Sequence, residues 1–369
     1  MGSDEVIVKF VHASDLHLGK AQFSNCYRAM DYINAFKQLL DVARDEIVDF
    51  VLLGGDVFNS IDILPFYFSQ ILDVLKNFHK RTHSKVPIYT IEGNHDIRRF
   101  SKGTRITQSI SWLRVLSDLN LIQILDNLRL DVQDNGDSIQ IANSVNIYGN
   151  SYYGEKIDGY IERMDNNISS NNDFTILLNH FGIQGQMQGI PGQSYSNLLP
   201  LKKKIDYFGL GHFHKQYIID NWIFNPGCNI PVCLSDFNLP HGYFIVEVEK
   251  NKGYRINLKR KRHLDRIIIW KSTVIRSKYC TKQQFFSDII NHLKSSLRLR
   301  TDRFNPNNYA IPILCLKIQS NSGKILNTQT KKELRGIILQ NYAVVDVHIF
   351  QKTILYKPIE GFFASSSSN

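Results

Sequence analysis

Five short polar clusters in this chain combine aspartate, asparagine and histidine in ways that suit the binding of metal ions. In an extended strand residues i and i+2 point the same way, so an Asp-x-His or His-x-His pair can converge on one ion. Oxygen and imidazole ligands without thiolates suit divalent ions such as Mn²⁺, Mg²⁺, Fe²⁺ or Zn²⁺. In chain order the clusters are Asp15-Leu16-His17, Gly54-Gly55-Asp56, Asn94-His95, Asn179-His180 and His212-Phe213-His214.

Each cluster taken alone also has an ordinary structural explanation. Gly93 and Asn94 suit a turn, because both tolerate left-handed backbone conformations. An aspartate can cap a helix, and a core histidine can be satisfied by a carbonyl. Five clusters in order, each at the end of an apolar run, nevertheless favour a single site for two ions, which would activate a hydroxide for phosphoryl displacement. Such a pair needs a shared carboxylate, and Asp56 is the candidate.

The segments before these clusters have the composition of buried strands. They are VIVKFVHA, FVLL, PIYT, FTILL and YFGL, and each runs into a polar cluster. Helical patterns lie between them, and in residues 31–47 one face at 3.6-residue spacing carries Tyr32, Phe36, Leu39, Leu40 and Ala43. This alternation predicts an α/β domain, in which functional groups gather in the loops beyond the strand ends.

Two further helical patterns, residues 64–80 and 107–119, allow two interpretations. Either their apolar faces pack on the core of their own chain, or they form a helix bundle between two copies. The first face carries Phe68, Ile71, Leu72, Leu75 and Phe78, and the second carries Ile110, Leu113 and Leu116.

The composition is that of a soluble globular protein, with 43% hydrophobic and 21% charged residues among 369. A net charge of +10 makes a polyanionic partner plausible, although a basic ribosomal or membrane-surface protein would look similar. The five cysteines are scattered and never spaced as CxxC, which favours reduced thiols. Because neither a signal peptide nor an apolar run long enough to cross a bilayer is present, we expect an intracellular protein without a membrane contact, in the cytoplasm or nucleoid, or in the nucleus of a eukaryote.

The sequence pattern changes near residue 250. We expect a second, smaller α+β domain over residues 251–356, whose strands and helices lie between about 265 and 355, and a disordered Ser-rich tail over residues 357–369. Basic runs could line a polyanion groove there or simply be solvated. They are Lys259–Arg262 with Arg266, and Arg298–Arg303.

The ordered motifs resemble those of the calcineurin-like metallophosphoesterases. HASDLHLG, GGDVFN, GNHD, GLGHFH and NPG are similar to motifs of the SbcD-type double-strand-break repair nucleases, including the archaeal and eukaryotic meiotic-recombination members. The resemblance covers residues 6 to about 355. It implies an α/β fold, a four-layer α/β/β/α sandwich over residues 6–250, and a capping domain over residues 251–356 that binds DNA.

The resemblance also assigns roles to individual residues. It implies that one metal is held by Asp15, His17, Asp56 and His214, and the other by Asp56, Asn94, His180 and His212. His95 would be catalytic rather than a ligand, facing the scissile phosphate, where an imidazole can stabilise charge or protonate the leaving oxygen. Contacts with the substrate are expected from Asn59, Arg98 and Arg99.

The chain departs from the family pattern at two of its positions. Asn59 stands where archaeal and eukaryotic members often carry a histidine, three residues after the shared aspartate, and Cys228 stands where a serine is common. The helices that bind the partner ATPase in this family are not recognisable before Asn369.

The function implied is a Mn²⁺-dependent DNA endonuclease and exonuclease of double-strand-break repair. It would hold two Mn²⁺ ions per subunit, with Mg²⁺, Fe²⁺ or Zn²⁺ as alternatives, and hydrolyse phosphodiesters by attack of a metal hydroxide. Its partners would be double-stranded and end DNA, a second copy of the chain, and an SbcC-type coiled-coil ABC ATPase. The alternatives are a phosphoesterase for small nucleotides, such as a phosphodiesterase, or for phosphoproteins, and a non-cutting subunit that tethers DNA.

Overall fold

The computed structural model describes residues 5–97, 111–125, 138–141, 144–154, 158–169, 172–250, 253–275, 281–301, 304–306, 308, 310–320 and 326–353. The chain forms two compact units, Met1–Leu264 and Asp265–Asn369. The division lies later than residue 250, because the strand Tyr254–Lys261 pairs along its whole length with the strand Tyr243–Lys250 of the first unit. The expected tail, residues 357–369, lies outside the described residues.

The described part of the first unit contains two six-stranded sheets. Its strands are β1 (Glu5–Ala13), β2 (Phe50–Leu53), β3 (Ile88–Thr90), β4 (Gln123–Ile124), β5 (Ile139–Ile141), β6 (Val145–Gly149), β7 (Phe174–His180), β8 (Tyr207–Gly211), β9 (Tyr217–Ile219), β10 (Ile223–Asn225), β11 (Tyr243–Lys250) and β12 (Tyr254–Lys261). The first sheet has the order β12-β11-β1-β2-β3-β4, and the second has the order β5-β6-β7-β8-β10-β9.

Helices cover the outer faces of both sheets. They are α1 (Cys26–Asp45), α2 (Pro65–Arg81), α3 (Trp112–Asp118), α4 (Ile161–Asn167) and α5 (Tyr195–Leu198), with short 3-10 turns at Gln22–Ser24, Asp158–Tyr160, Leu199–Lys203 and Asp236–Asn238. Helices α1 to α3 pack on the first sheet, and α4 and α5 pack on the second. Between the sheets lies a separate core that includes Phe10, Phe50 and Tyr207, so the predicted α/β/β/α order of layers is confirmed.

The direction of the strands brings the polar clusters to one edge. Strands β1, β2 and β3 run parallel in the first sheet, and β6, β7 and β8 run parallel in the second. Because the carboxyl ends of parallel strands meet at the same edge of a sheet, the loops after β1, β2, β3, β7 and β8 can converge.

The apolar faces of α2 and α3 belong mainly to the core of their own chain. In α2, Ile71, Leu75 and Phe78 are buried against the first sheet, while Phe68 and Leu72 are partly buried there. In α3, the side chains buried in the same core are Leu113 and Leu116, and Ile110 lies outside the described residues. Exposed apolar side chains on or beside these helices are Leu64, Phe66 and Leu119.

The described part of the second unit consists of alternating strands and helices that lie within the range of about 265 to 355 expected from the sequence. They are β13 (Ile268–Ile275), α6 (Lys282–Leu293), β14 (Ile313–Ser320), α7 (Thr328–Asn341) and β15 (Asp346–Thr353). The three strands are parallel, so each helix is a crossover connection, and both helices contribute to one core. Arg266, which the sequence placed in a possible groove, is buried and donates to the carbonyls of Asn308 and Ile311, so its role here is structural.

No helix in the described ranges is long and apolar enough to cross a membrane.

Candidate metal and phosphate site

The first two loops of the site have left-handed backbone at three of their polar residues. Strand β1 ends at Ala13, and the φ angles of Asp15, His17 and Asp56 are 51°, 46° and 50°. The two loops are also tied together, because the backbone N–H of His17 donates to the carbonyl of Asp56 at 3.0 Å. The expectation that Asp15 and His17 converge by extended-strand geometry is therefore wrong, and tight turns bring them together instead. Such backbone conformations are uncommon outside glycine and cluster at functional sites.

One group of possible ligands consists of Asp15, His17 and His214, whose nearest ligand atoms all lie within 4.8 Å of one another. The Nε2 atoms of the two histidines face each other at 3.2 Å. Asp15 and His17 are almost fully buried, and the Nδ1 of His17 has no hydrogen-bond partner in the described structure. This group matches one of the two predicted metal positions.

A second group consists of Asp56, His180 and His212, again with ligand atoms within 4.8 Å. The Oδ1 of Asn94 accepts hydrogen bonds from Nε2 of His180 at 3.1 Å and from Nδ1 of His212 at 3.0 Å. His180 also uses its Nδ1 to donate to the carbonyl of Gly54 at 2.7 Å. The residues predicted for the second metal therefore lie together.

Asp56 lies between the two groups, as the prediction of a shared ligand requires. One of its carboxylate oxygens is 3.4 Å from Nε2 of His180 and 4.0 Å from Nε2 of His17. The other oxygen accepts the backbone N–H of His95 at 2.8 Å. Gly93 leaves room for this arrangement, because a Cβ at that position would meet Asp56 Oδ1 at 2.2 Å.

Opposite charges shift the pKa values of the groups around Asp56. Burial raises the pKa of the Asp56 carboxyl, but the charges and hydrogen bond of His180, together with His17, outweigh it and hold the pKa below its usual range. Burial lowers the pKa of His180, and the carboxylates of Asp56 and Asp15 more than compensate, so that it rises to about 9. The Asp56 carboxylate is thus paired with a protonated His180 ring, whose Nε2 lies 3.4 Å away.

Of the other three histidines in the two ligand groups, one ring is cationic and two are neutral. Burial lowers the pKa of His214, but its hydrogen bonds to Asp236 and Cys233 together with the charges of Asp15 and Asp236 outweigh burial and raise the pKa to about 10. The pKa of His212 falls to about 3, chiefly through burial and then through the charge of His180. Burial also lowers the pKa of His17 well below its ordinary value. A neutral His17 can therefore accept at Nε2 from the protonated Nε2 of His214.

These donor sets fit divalent ions. Both groups offer only carboxylate oxygen, amide oxygen and imidazole nitrogen, which are ligands for Mn²⁺, Mg²⁺, Fe²⁺ or Zn²⁺. In the first group the facing nitrogens of His17 and His214 lie 3.2 Å apart. The arrangement is consistent with two neighbouring ions that share Asp56.

His95 lies beside the ligand groups with its ring exposed. Its Nδ1 donates to the carbonyl of Asn59 at 2.8 Å, so Nε2 remains available to a bound molecule. Its ring packs edge-on to that of His17 at a centroid distance of 4.9 Å. The side chain of Asn59 accepts from Nζ of Lys20 at 3.3 Å. Two predicted substrate contacts, Arg98 and Arg99, lie outside the described residues.

Asp96 is a supporting residue that the sequence analysis quoted but gave no role. It is buried, and its carboxylate accepts backbone N–H groups from Val57 at 3.2 Å, Phe58 at 2.8 Å and Gly93 at 2.9 Å. It therefore ties the loop after β2 to the loop after β3. Burial and the charge of Asp56 raise the pKa of Asp96 to about 8. Its position as the last residue of the GNHD motif is the sequence feature that could have revealed this supporting role.

Cys228, the second departure from the family pattern, lies in the core rather than in the site opening. It is fully buried, and its backbone N–H donates to the carbonyl of His214 at 3.0 Å. Burial raises the pKa of its thiol well above the ordinary value, which makes the thiol unreactive. The substitution for serine therefore adds packing and no nucleophile.

Comparison with known proteins decides the family. The sequence model of the calcineurin-like phosphoesterase family matches residues 8–216, which is more than half of the chain and contains every residue of the two ligand groups. The chain belongs to the calcineurin-like phosphoesterase family. The predicted resemblance and fold class are thereby confirmed, and the site described above is that of a phosphoesterase.

Curated relatives within this family carry the name DNA double-strand break repair protein Mre11. The protein from Archaeoglobus fulgidus is 25% identical over 223 residues, covering 58% of this chain and 47% of that protein. The one from Saccharolobus solfataricus is 28% identical over 211 residues, covering 57% and 50%. The one from Methanosarcina acetivorans is 22% identical over 299 residues, covering 78% and 44%. The chain thus spans about half the length of the curated relatives it matches.

Proposed function

We propose that this protein is a two-metal DNA nuclease of double-strand-break repair that hydrolyses phosphodiester bonds. The observation that carries the proposal is the pair of ligand groups that meet at Asp56, with the free Nε2 of His95 beside them. The names of the curated relatives support DNA as the substrate. When bound, a pair of divalent ions would activate the attacking water and neutralise charge on the phosphate.

The protein's own residues would orient the substrate and move a proton. Asn94 and His180 are held together by a 3.1 Å hydrogen bond and would fix one side of the site. His95 keeps Nδ1 on the carbonyl of Asn59 and would present Nε2 to the scissile phosphate. From there it can stabilise developing charge or protonate the leaving oxygen.

The charge of the chain supports a nucleic-acid substrate. The net charge is +10, and the consecutive basic side chains Lys259–Arg262, which begin in β12 and continue just beyond it, are exposed. Such residues would contact phosphates without reading the base sequence. We further propose Mn²⁺ as the working metal, on the basis of the motif resemblance, and the O and N donor set is compatible with it.

The assembly is also a proposal. We place the protein inside the cell, acting as a homodimer with an SbcC-type coiled-coil ABC ATPase on double-stranded DNA and DNA ends. The support is the likeness to Mre11 proteins and the motif resemblance. The second unit is proposed to bind DNA.

A cleavage assay tests the proposed activity. The full chain is incubated with Mn²⁺ and plasmid, hairpin or linear duplex DNA, and in parallel with bis-p-nitrophenyl phosphate. The parent protein is expected to cleave DNA. Asp56→Ala is expected to lose both DNA cleavage and binding of the metal pair. Hydrolysis of the small diester alone would favour a small-nucleotide phosphodiesterase, and DNA binding without any hydrolysis would favour a tethering subunit.

A further inference from the structure

A carboxylate outside the motifs, Asp236, lies directly behind the first ligand group. It begins the 3-10 turn Asp236–Asn238, and it lies beyond residues 8–216, which the family match covers. Its side chain is fully buried at 0% exposure. A buried carboxylate costs free energy unless hydrogen bonds and a charged partner satisfy it, so its contacts reveal what it is there to hold.

The contacts of Asp236 fill both carboxylate oxygens. Oδ2 accepts from Nδ1 of His214 at 2.8 Å, from the backbone N–H of Cys233 at 2.9 Å and from that of Val232 at 3.1 Å. Oδ1 accepts from Sγ of Cys233 at 2.9 Å and from Oγ of Ser235 at 3.4 Å. The backbone donors belong to the turn itself, so they lock the carboxylate in place relative to the chain.

The locked carboxylate determines how the His214 ring is used. With Nδ1–H engaged by Asp236, the ring cannot present Nδ1 to an ion or flip without losing a charge-assisted hydrogen bond. Its Nε2 therefore faces Nε2 of His17 at 3.2 Å, within the first ligand group.

We propose that Asp236 is the positioning residue of the first metal position, acting through His214. It fixes the protonated nitrogen and the orientation of the ring, and it increases the basicity of the nitrogen that remains for the ion. This inference rests on the proposed two-metal site and extends it to a residue that the motifs do not contain.

An alternative is that His214, Cys233 and Asp236 hold an ion of their own, because their ligand atoms lie within 4.8 Å of one another. The hydrogen bonds argue for the positioning role. Nδ1 and Oδ2 are in direct contact at 2.8 Å, and both carboxylate oxygens already accept from other donors, so an ion would have to displace them.

A double-mutant cycle on the full chain tests the route of action. Mn²⁺ binding is measured by calorimetry for the parent protein, Asp236→Ala, His214→Ala and the double variant. Asp236→Ala is expected to weaken one of the two Mn²⁺ positions by about 10- to 100-fold and to leave the other unchanged. The double variant should bind as weakly as His214→Ala and no more weakly. Additive losses, or equal losses at both positions, would show that Asp236 acts by holding the turn and would overturn the proposal.

A metal-independent measurement keeps this test separate from the proposed function. In proton NMR of the metal-free protein, the Nδ1–H of His214 should give a downfield, exchange-protected signal. The signal should vanish in His214→Ala and in Asp236→Ala, and it should remain in the matched control Ser235→Ala. If it remains in Asp236→Ala, the positioning role is wrong, whatever the metal content. If the parent protein shows the signal but binds no Mn²⁺, the two-metal proposal fails while the contact itself stands.

Cys233→Ser distinguishes positioning from direct ligation. Serine keeps a donor for Oδ1 of Asp236, so both Mn²⁺ positions should be unchanged within about twofold of the parent. Loss of one bound equivalent of metal in this variant would make the cluster a ligand site and overturn the proposal.

Discussion

At the scale of single residues, two neighbours in GNHD have different partners. The side chain of Asn94 contacts His180 and His212 in the second ligand group, whereas the ring of His95 contacts the carbonyl of Asn59 and the ring of His17. The two residues therefore have different contacts, although a ring nitrogen of His95 also lies within 4.8 Å of ligand atoms of His17 and Asp56.

His95→Ser is expected to slow DNA cleavage without removing metal. A general acid or charge stabiliser commonly contributes about 10²- to 10⁴-fold in rate, so cleavage at saturating Mn²⁺ should fall by that order. Metal content by calorimetry and duplex affinity at fixed salt should stay near the parent values. Asn94→Ala is the matched comparison, and it should weaken one ion. Cleavage by His95→Ser at the parent rate, or loss of an ion, would show that the histidine has another role.

Metal binding is expected to release protons and to tighten as the pH rises. The pKa of His180 is about 9 and that of His214 is about 10, so both rings are protonated at neutral pH and must lose the Nε2 proton to bind an ion. The apparent Mn²⁺ affinity should therefore increase between pH 6.5 and 8.5. Calorimetry in buffers of different ionisation enthalpy measures the released protons directly. A Mn²⁺ affinity that does not change over this range would contradict the assignment of these two rings as ligands that are protonated before the metal binds.

At the scale of elements, the two sheets pack around a buried histidine that the metal site does not use. His12, in β1, contacts the hydroxyl of Tyr207, in β8, through Nδ1 at 2.9 Å, and its side chain is fully buried. Burial lowers its pKa from 6.5 to about 3. The inter-sheet core thus tolerates only the neutral ring.

His12→Gln is expected to reduce the loss of stability in acid. Below pH 6.5 the unfolded chain binds a proton that the folded chain excludes until about pH 3, so the free energy of unfolding falls as the pH drops through this window. The contribution of one such group approaches about 1.4 kcal/mol per pH unit. Urea unfolding with a chelator present, at pH 7.5, 6.0 and 5.0, compares the two proteins, which share every other titrating group. Parallel pH curves would mean that His12 is not held neutral.

At the scale of the whole molecule, the chain consists of two units with separate cores. The first contains all residues of both ligand groups. The fragment Met1–Leu264 is therefore expected to unfold cooperatively and to hydrolyse bis-p-nitrophenyl phosphate with Mn²⁺, but to bind duplex DNA at least about tenfold more weakly and with a smaller salt dependence. Affinity equal to that of the full chain would place DNA binding in the first unit alone.

If the protein is a dimer that uses α2 and α3, the contact must involve their exposed apolar side chains, because most of their apolar faces are buried in the core of their own chain. Leu113 is fully buried, so a charge there would unfold the chain and report nothing about dimers. Phe66 and Leu64 are 60% and 63% exposed, and Phe66→Asp with Leu64→Asp should give a folded monomer by light scattering. Ile47→Asp, at another exposed apolar position, is the control and should remain dimeric. A folded double variant that is still a dimer would exclude this surface.

Much of the site could be predicted because its determinants are local in the sequence. Apolar runs identify the strands, and each polar cluster follows a run directly, so the rule that functional groups gather at strand ends brings distant clusters together. That reasoning proposed Asp56 as the shared carboxylate, whereas the separate role of His95 came only from the resemblance to a family.

Contacts between distant segments decided the rest. Helical periodicity cannot reveal whether α2 and α3 pack on the core of their own chain. Strand periodicity likewise cannot reveal whether residues 254–261 belong to the first sheet. Both depend on contacts with segments far along the chain. The left-handed backbone of Asp15 and His17 is imposed by hydrogen bonds to the loop after β2. Asp236 has no motif of its own and becomes part of the site only because the chain returns to place its carboxylate behind His214, 22 residues earlier. Sequence by itself determined which side chains could bind metal, and tertiary structure determined which others hold them in place, because local periodicity specifies elements while support of a buried ligand requires contact between elements.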